Sequence, residues 1–68
     1  MTKRDLHFNI MKEIRELEKE FNRAPMALLL LNLNEEFDYN ENTIKNGISE
    51  LLNKKVIEYD FCDYLRSC

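Results

Sequence analysis

Residues 40–61 read NENTIKNGISELLNKKVIEYDF, and this stretch decides the fold. In its first half, apolar side chains recur at the three- and four-residue spacing of a helix, at Ile44, Ile48, Leu51 and Leu52. We therefore predict a helix over about 42–54, which Asn40 or Asn42 caps by accepting a free backbone amide. Gly47 lies inside this helix, where glycine costs roughly 1 kcal/mol relative to alanine. Its expected use is a close approach to the second helix.

The second half of the stretch predicts a strand. From Val56 to Phe61 the residues alternate, which places Ile57, Tyr59 and Phe61 on one face. No glycine follows Lys55, so the helix must end by another device than the usual left-handed glycine. Residues 62–68 are ambiguous, because a short closing helix, a returning wing strand and a tail all suit their spacing.

Two more helices are predicted before this stretch. An apolar stripe at helical spacing predicts a first helix from Thr2 to Phe21, through Leu6, Ile10, Ile14, Leu17 and Phe21. Pro25 suits the first turn of a second helix that ends near Phe37, and its many leucines predict a central, mostly buried element. Turn-forming residues at 38–42 connect it to the third helix. The sequence thus predicts a mainly α domain with a small β element, in which a three-helix helix-turn-helix core precedes a strand.

Composition indicates one small soluble domain, spanning residues 1–68. The chain is 44% hydrophobic and 34% charged, too apolar for a disordered tail and too charged for a membrane. Its longest apolar run, Met26 to Leu31, is too short to span a bilayer, and its start resembles no signal peptide. With Cys62 and Cys68 expected as free thiols, we predict a cytoplasmic protein. One glycine and one proline among many Asn and Lys residues favour an AT-rich prokaryotic or phage genome.

Residues 25–61 resemble the winged-helix branch of the helix-turn-helix superfamily, as in the multiple-antibiotic-resistance and arsenic-repressor families of regulators. Thr43-Ile44 opens the helix, Ile48 and Leu51 occupy its core positions, and Lys54-Lys55-Val56-Ile57-Glu58 ends it and enters the strand. The resemblance implies a transcription regulator whose third helix lies in the major groove of DNA, while a hairpin wing touches the backbone. It implies base contacts by Thr43, Lys45, Asn46 and Ser49.

The chemistry of the outward side chains agrees with that role. Asn can pair with adenine, Thr and Ser can reach bases or phosphates, and Lys neutralises phosphate. The predicted site that contacts double-stranded DNA comprises Asn42, Thr43, Lys45, Asn46, Ser49, Lys54 and Lys55. An ordinary solvated helix has a similar face, however, and Glu50 within it would repel phosphate. Only seven residues follow Phe61, without Gly or Asn for a favoured hairpin turn, so the wing is expected to be short or missing.

The net charge of −3 leaves a second function open. The turn before the third helix places Phe37 and Tyr39 among Glu35, Glu36 and Asp38, a surface that suits a basic protein partner. The alternative is therefore a protein-binding winged-helix module, such as a phage-type inhibitor or adaptor. For the DNA-binding function we expect a homodimer that forms through the first helix or the C-terminal tail.

Nothing in the sequence predicts an enzyme, a cofactor or a metal site. His7, Cys62 and Cys68 do not have the spacing of a structural zinc site, and a single glycine excludes the common phosphate-binding loops. His7 lies next to the first apolar stripe, so we expect it to be a half-buried helix residue.

Overall fold

The computed structural model describes residues 3–61 and 63–68, with side chains from Asp5 onward. The elements of this part of the chain are α1 Lys3–Phe21, β1 Ala24–Pro25, α2 Met26–Phe37, α3 Glu41–Asn53, β2 Ile57–Tyr59 and β3 Tyr64–Ser67. The predicted class, mainly helical with a small β element, is confirmed. Thr2, where the first helix was expected to begin, lies outside the described residues. No helix within the described ranges is long and apolar enough to cross a bilayer.

The three strands form one antiparallel sheet in the order β1-β3-β2. β3 lies in the centre, with Leu65 opposite both Ala24 of β1 and Tyr59 of β2. The end of the chain is therefore a returning strand, and the hairpin of β2 and β3 is short but present. Phe61, with a φ of 75°, supplies the left-handed turn residue that Gly or Asn usually supplies.

The core lies between the helices and the inner face of the sheet. Among the residues whose side chains are described, thirteen hydrophobic ones are buried there: Leu6, Ile10, Ile14, Leu17, Ala24, Leu29, Leu33, Tyr39, Ile44, Ile48, Leu51, Ile57 and Leu65. The predicted stripe of α1 is correct except at Phe21, which is exposed. α1 ends at this residue, because Asn22 adopts a left-handed φ of 69° and turns the chain away.

α2 is less completely buried than predicted. Leu29 and Leu33 are fully buried, but Leu31 is 51% exposed on the side away from α1 and α3. Pro25 lies in β1, just before the helix, with a φ of −62° and a ψ of 128°. Because β1 is an edge strand, the missing amide of Pro25 costs the sheet no inner hydrogen bond.

α3 begins and ends within one residue of the predicted bounds. Asn40 is the cap, since its Oδ1 accepts the Thr43 amide at 2.7 Å. At the other end Lys55 takes a left-handed φ of 62°. Its amide donates to the Leu52 carbonyl at 3.1 Å, and the next amide donates to the Leu51 carbonyl at 3.3 Å. These bonds form a Schellman motif, so a lysine occupies the position that glycine usually takes.

The close approach predicted at Gly47 exists, but it is to α1 and not to α2. A Cβ at this position would lie 2.6 Å from Ile10 Cδ1 and 3.1 Å from Leu6 Cδ2. The prediction was wrong about the partner because the helical pattern gives the inward face of α3 without saying which helix packs on it.

Of Ile57, Tyr59 and Phe61, which the alternation places on one face, only Ile57 is buried. Tyr59 is 55% exposed and Phe61 is 78% exposed. β2 ends at Tyr59 and β3 begins at Tyr64, so Phe61 lies in the connection between the two strands. Alternation shows which side chains share a face of the strand, but not how far along the strand other elements cover that face.

Candidate nucleic-acid interface

α3 presents short polar side chains on the side away from the core. Its buried residues are Ile44, Gly47, Ile48 and Leu51. The predicted base-reading residues lie on the other side, where Thr43 is half-buried and the exposed members are Asn42, Lys45, Asn46 and Ser49. All five therefore share one accessible surface, which we call the reading face.

A shallow groove of about 500 Å³ runs along part of the reading face. Thr43, Asn46 and Ser49 line it together with Glu50, and Leu6 of α1 forms its opposite wall. Three of the predicted residues are thus brought together at one concave site. A hydroxyl and an amide side by side offer both donors and acceptors to a base edge.

Glu50 is the acid that the sequence places within this face. Its Oε1 lies 3.0 Å from His7 Nε2, and the His7 side chain is only 14% exposed. The prediction that His7 is a half-buried helix residue is confirmed. The contact holds one oxygen of Glu50 against α1. Glu50 therefore disturbs an approaching phosphate less than its position in the sequence suggests.

The other acid of α3 is Glu41, in the first turn, where a negative charge interacts favourably with the helix dipole. Its Oε2 lies 3.8 Å from Lys45 Nζ, and both side chains are exposed. Exposed pairs of this kind contribute only about 0.3–0.5 kcal/mol. Lys45 can consequently leave Glu41 for a stronger partner at little cost.

Lys54 and Lys55 do not lie in the groove of the reading face. They line a second groove of about 670 Å³ between α1, the end of α3 and the end of β3. We call this surface the basic groove; its main lining residues are Phe8, Met11, Arg15, Lys54, Lys55 and Val56. The predicted site is therefore divided into a reading face and a separate cationic surface at the C-terminal end of the same helix.

An adjoining shallow groove extends the cationic surface along α1. Lys12 and Lys19 line it, as does Glu16, and it shares Phe8 and Arg15 with the basic groove. Phe8 is 67% exposed. The sequence did not lead us to predict this extension of the cationic surface, although Phe8, Lys12, Arg15 and Lys19 follow one another at helical spacings of four, three and four.

The hairpin offers little to a phosphate backbone. Arg66 of the hairpin faces a carboxylate, with Nε 3.1 Å from Glu58 Oε1. Arg23, which precedes β1, also faces one, with Nη1 3.9 Å from Asp60 Oδ2 beside the turn. Arg23 also lies 4.7 Å from the centre of the Tyr64 ring. In the described part of the hairpin, no cation lies near the turn without a carboxylate beside it.

Residues 35–38, which we call the acidic turn, form a further charged surface. Glu35, Glu36 and Asp38 are exposed. Phe37 stacks on Tyr39 with ring centres 5.4 Å apart and is 38% exposed. Tyr39 is buried and fixed to α1, because its hydroxyl accepts the Asn9 amide at 2.9 Å. The acidic turn is thus an ordered surface with an exposed aromatic ring.

Glu13 is a buried carboxyl group that sequence reasoning also missed. Burial raises the pKa of Glu13, and the negative charges of Glu36 and Glu16 raise it further. A hydrogen bond from Asn32 Nδ2 to Glu13 Oε2, at 3.2 Å, opposes this shift. The signal was present in the sequence, since Glu13 lies three residues after Ile10 on the buried stripe of α1.

The cysteines and His7 give no support for a metal site. His7 and the exposed Cys68 line the basic groove, whereas Cys62 lies outside the described residues. In residues 3–61 and 63–68 no three His, Cys, Asp or Glu side chains are grouped to hold an ion. No protein-family model matches the chain, and no curated protein shows significant similarity to it.

Proposed function

We propose that this protein is a transcription regulator of the winged-helix type that binds double-stranded DNA, with α3 in the major groove. The observation that carries the proposal is the chemistry of the reading face. It consists of accessible hydrogen-bonding side chains, and the two acids of α3, Glu41 and Glu50, each face a basic side chain. The order of the elements, with α2 and α3 followed by a hairpin, supports the winged-helix assignment.

Each residue of the predicted site has a role in this proposal. Asn42 and Asn46 read base edges, since an Asn amide can bond adenine through two hydrogen bonds. Thr43 and Ser49 bond bases or phosphates, and Lys45 leaves its weak pair with Glu41 for a phosphate.

Lys54 and Lys55, at the end of α3, bind phosphates of the DNA backbone. The hairpin makes no phosphate contact in this proposal, because the arginines beside its turn already face carboxylates. The proposal differs here from the wing contact that the family resemblance implies.

The test begins with selection of bound duplexes from a randomised pool, followed by fluorescence polarisation with the selected duplex. Replacing both Lys54 and Lys55 by Ala should flatten the plot of log affinity against log salt by about 1.8, because each phosphate contact contributes about 0.9. Asn46→Ala should keep that slope and lose about 1–3 kcal/mol of discrimination at one base pair. Arg66→Ala removes an exposed cation of the hairpin, which makes no phosphate contact in this proposal, and should change neither quantity. Failure to enrich any duplex at low salt would refute the proposal.

A second candidate is protein binding through the acidic turn. It is favoured by Phe37, an exposed ring beside the exposed carboxylates of Glu35 and Asp38. Aromatic side chains within a charged rim are typical of interface centres. The test compares proteins captured from a lysate by the wild type and by a Glu35→Lys/Asp38→Asn variant. A basic protein captured by the wild type alone supports this candidate, and identical captured sets contradict it.

A further inference from the structure

We infer that the acidic turn and the basic groove are complementary surfaces, and that a second copy of this chain places its acidic turn in the basic groove. The inference rests on the second candidate, in which the acidic turn binds protein, and not on the proposed DNA contacts of Lys54 and Lys55, which line the same groove. It supplies the basic partner that this candidate requires.

The cations whose side chains the structure describes, all except Lys3 and Arg4, are sorted by location. Those with a carboxylate neighbour are Arg23, Lys45 and Arg66, at the sheet and at the start of α3. Five others form no ion pair with a described residue, and all of them line the basic groove or the groove that adjoins it: Lys12, Arg15, Lys19, Lys54 and Lys55. In a protein of net charge −3, this surface is a local concentration of positive charge, and Glu16 is the one acid among its described lining residues.

The basic groove also has an apolar floor. Phe8 is 67% exposed and Val56 is 40% exposed, and the partly buried Met11 also lines the groove. Phosphate groups would satisfy the cations but would leave this floor in water. An acidic segment that carries an aromatic ring satisfies both, because its ring covers the floor while its carboxylates meet the rim.

The acidic turn has this composition. Its ring is Phe37, and Glu35 and Asp38 on either side form no ion pair with a described residue. It lies beside the flank of α1 formed by Asn9 and Glu13.

The acidic turn and the basic groove cannot meet within one molecule. Met11, in the floor of the groove, is two residues from Asn9 and two from Glu13, which places it roughly 200° around the helix from both. The two surfaces therefore lie on opposite flanks of α1, and their contact requires two chains. A dimer that instead packed α1 against α1 would bring the cations of the two copies together.

The experiment measures molecular mass by sedimentation equilibrium without DNA, at protein concentrations up to about 1 mM. The wild type should associate at about 0.1 M salt and weaken by about tenfold at about 1 M, where the Debye length falls from about 10 Å to about 3 Å. A groove variant, Phe8→Ala/Arg15→Glu, and a turn variant, Glu35→Lys/Asp38→Asn, should each be monomeric. Glu20→Lys, a charge reversal at an exposed residue outside both surfaces, should associate like the wild type.

Mixing the two variants gives the decisive result. The turn variant keeps a native groove and the groove variant keeps a native acidic turn, so the mixture should form a one-to-one complex although neither variant associates alone. This outcome also shows that both variants are folded. A monomeric wild type, or a mixture without a complex, would overturn the self-pairing. The capture experiment decides the second candidate separately, so the two failures are distinguishable.

Discussion

Gly47 allows a sharp test of the packing between α1 and α3. Gly47→Ala adds a Cβ that would lie 2.6 Å from Ile10 Cδ1, about 1 Å closer than an ordinary carbon contact. Ile10 is fully buried, so its terminal methyl group cannot move without displacing neighbours. Overpacking of this kind costs about 1–3 kcal/mol, and the better helix propensity of alanine returns about 1 kcal/mol. We expect a net loss of about 1 kcal/mol.

The same substitution should change sign when the obstructing methyl group is removed. Ile10→Val deletes Cδ1 and by itself costs about 0.5–1.5 kcal/mol. The remaining contacts, 3.1 and 3.2 Å to Leu6, need shifts of only a few tenths of an ångström. In the Ile10→Val background, Gly47→Ala should therefore stabilise by up to about 1 kcal/mol. The coupling between the two substitutions is then about 1–2 kcal/mol.

Urea denaturation followed by circular dichroism measures the four free energies of this cycle, since a chain of this size usually unfolds in two states. Ile14→Val is the matched control, because Ile14 is also fully buried on α1 but is not among the nearest atoms to Gly47. It should not rescue Gly47→Ala. Additivity of Gly47→Ala and Ile10→Val within about 0.3 kcal/mol would refute the role assigned to this contact.

Three other predictions concern single residues. Lys55→Gly should stabilise the protein by about 1 kcal/mol and raise Tm by about 4–8 °C, because the φ of 62° at this position strains lysine but not glycine. The control Lys54→Gly should instead destabilise it, since Lys54 has a right-handed φ of −79°. Asn40→Ala should cost about 1 kcal/mol in urea denaturation by removing the helix cap, and Asn40→Asp should keep most of that stability. The pKa of Glu13 is raised in the folded state, which therefore binds the proton more tightly than the unfolded chain does. Protonated Glu13 stabilises the fold fully below the pKa that it has in the unfolded chain, and this stabilisation is lost as pH rises through its pKa in the folded state. Glu13→Gln, which can still accept from Asn32, should exceed the wild type in stability at neutral pH; an unchanged dependence of stability on pH would contradict this account.

The helices could be predicted because their signals are local. Apolar spacing within α1 and α3 gave their bounds to within one residue at the ends that the structure describes. The returning strand β3 could not be decided, since residues 62–68 fit both helical and extended spacing. β3 pairs with β2 on one side and, on the other, with the two-residue strand Ala24–Pro25, about forty positions earlier in the chain. So short a strand has no periodicity of its own to detect.

The candidate site shows the same division between local and distant information. The polar character of the reading face follows from the helical wheel of α3 alone. The neighbour of Glu50 does not, because His7 is 43 positions away in the sequence. The basic groove is likewise formed by α1 and the end of α3, so its concentration of positive charge cannot be predicted from either segment alone. The DNA contacts themselves stay predictions.

The left-handed residues Lys55 and Phe61 have a consequence for how the molecule opens. They bracket β2, a three-residue strand at the edge of the sheet, and each would relax if that strand detached. β3 would stay in place, because β1 pairs with it and Glu18 of α1 accepts hydrogen bonds from the Ser67 amide and hydroxyl. Amide hydrogen exchange should therefore be faster at residues 57–59 than in the three helices, which makes this strand the first part of the sheet to unfold locally.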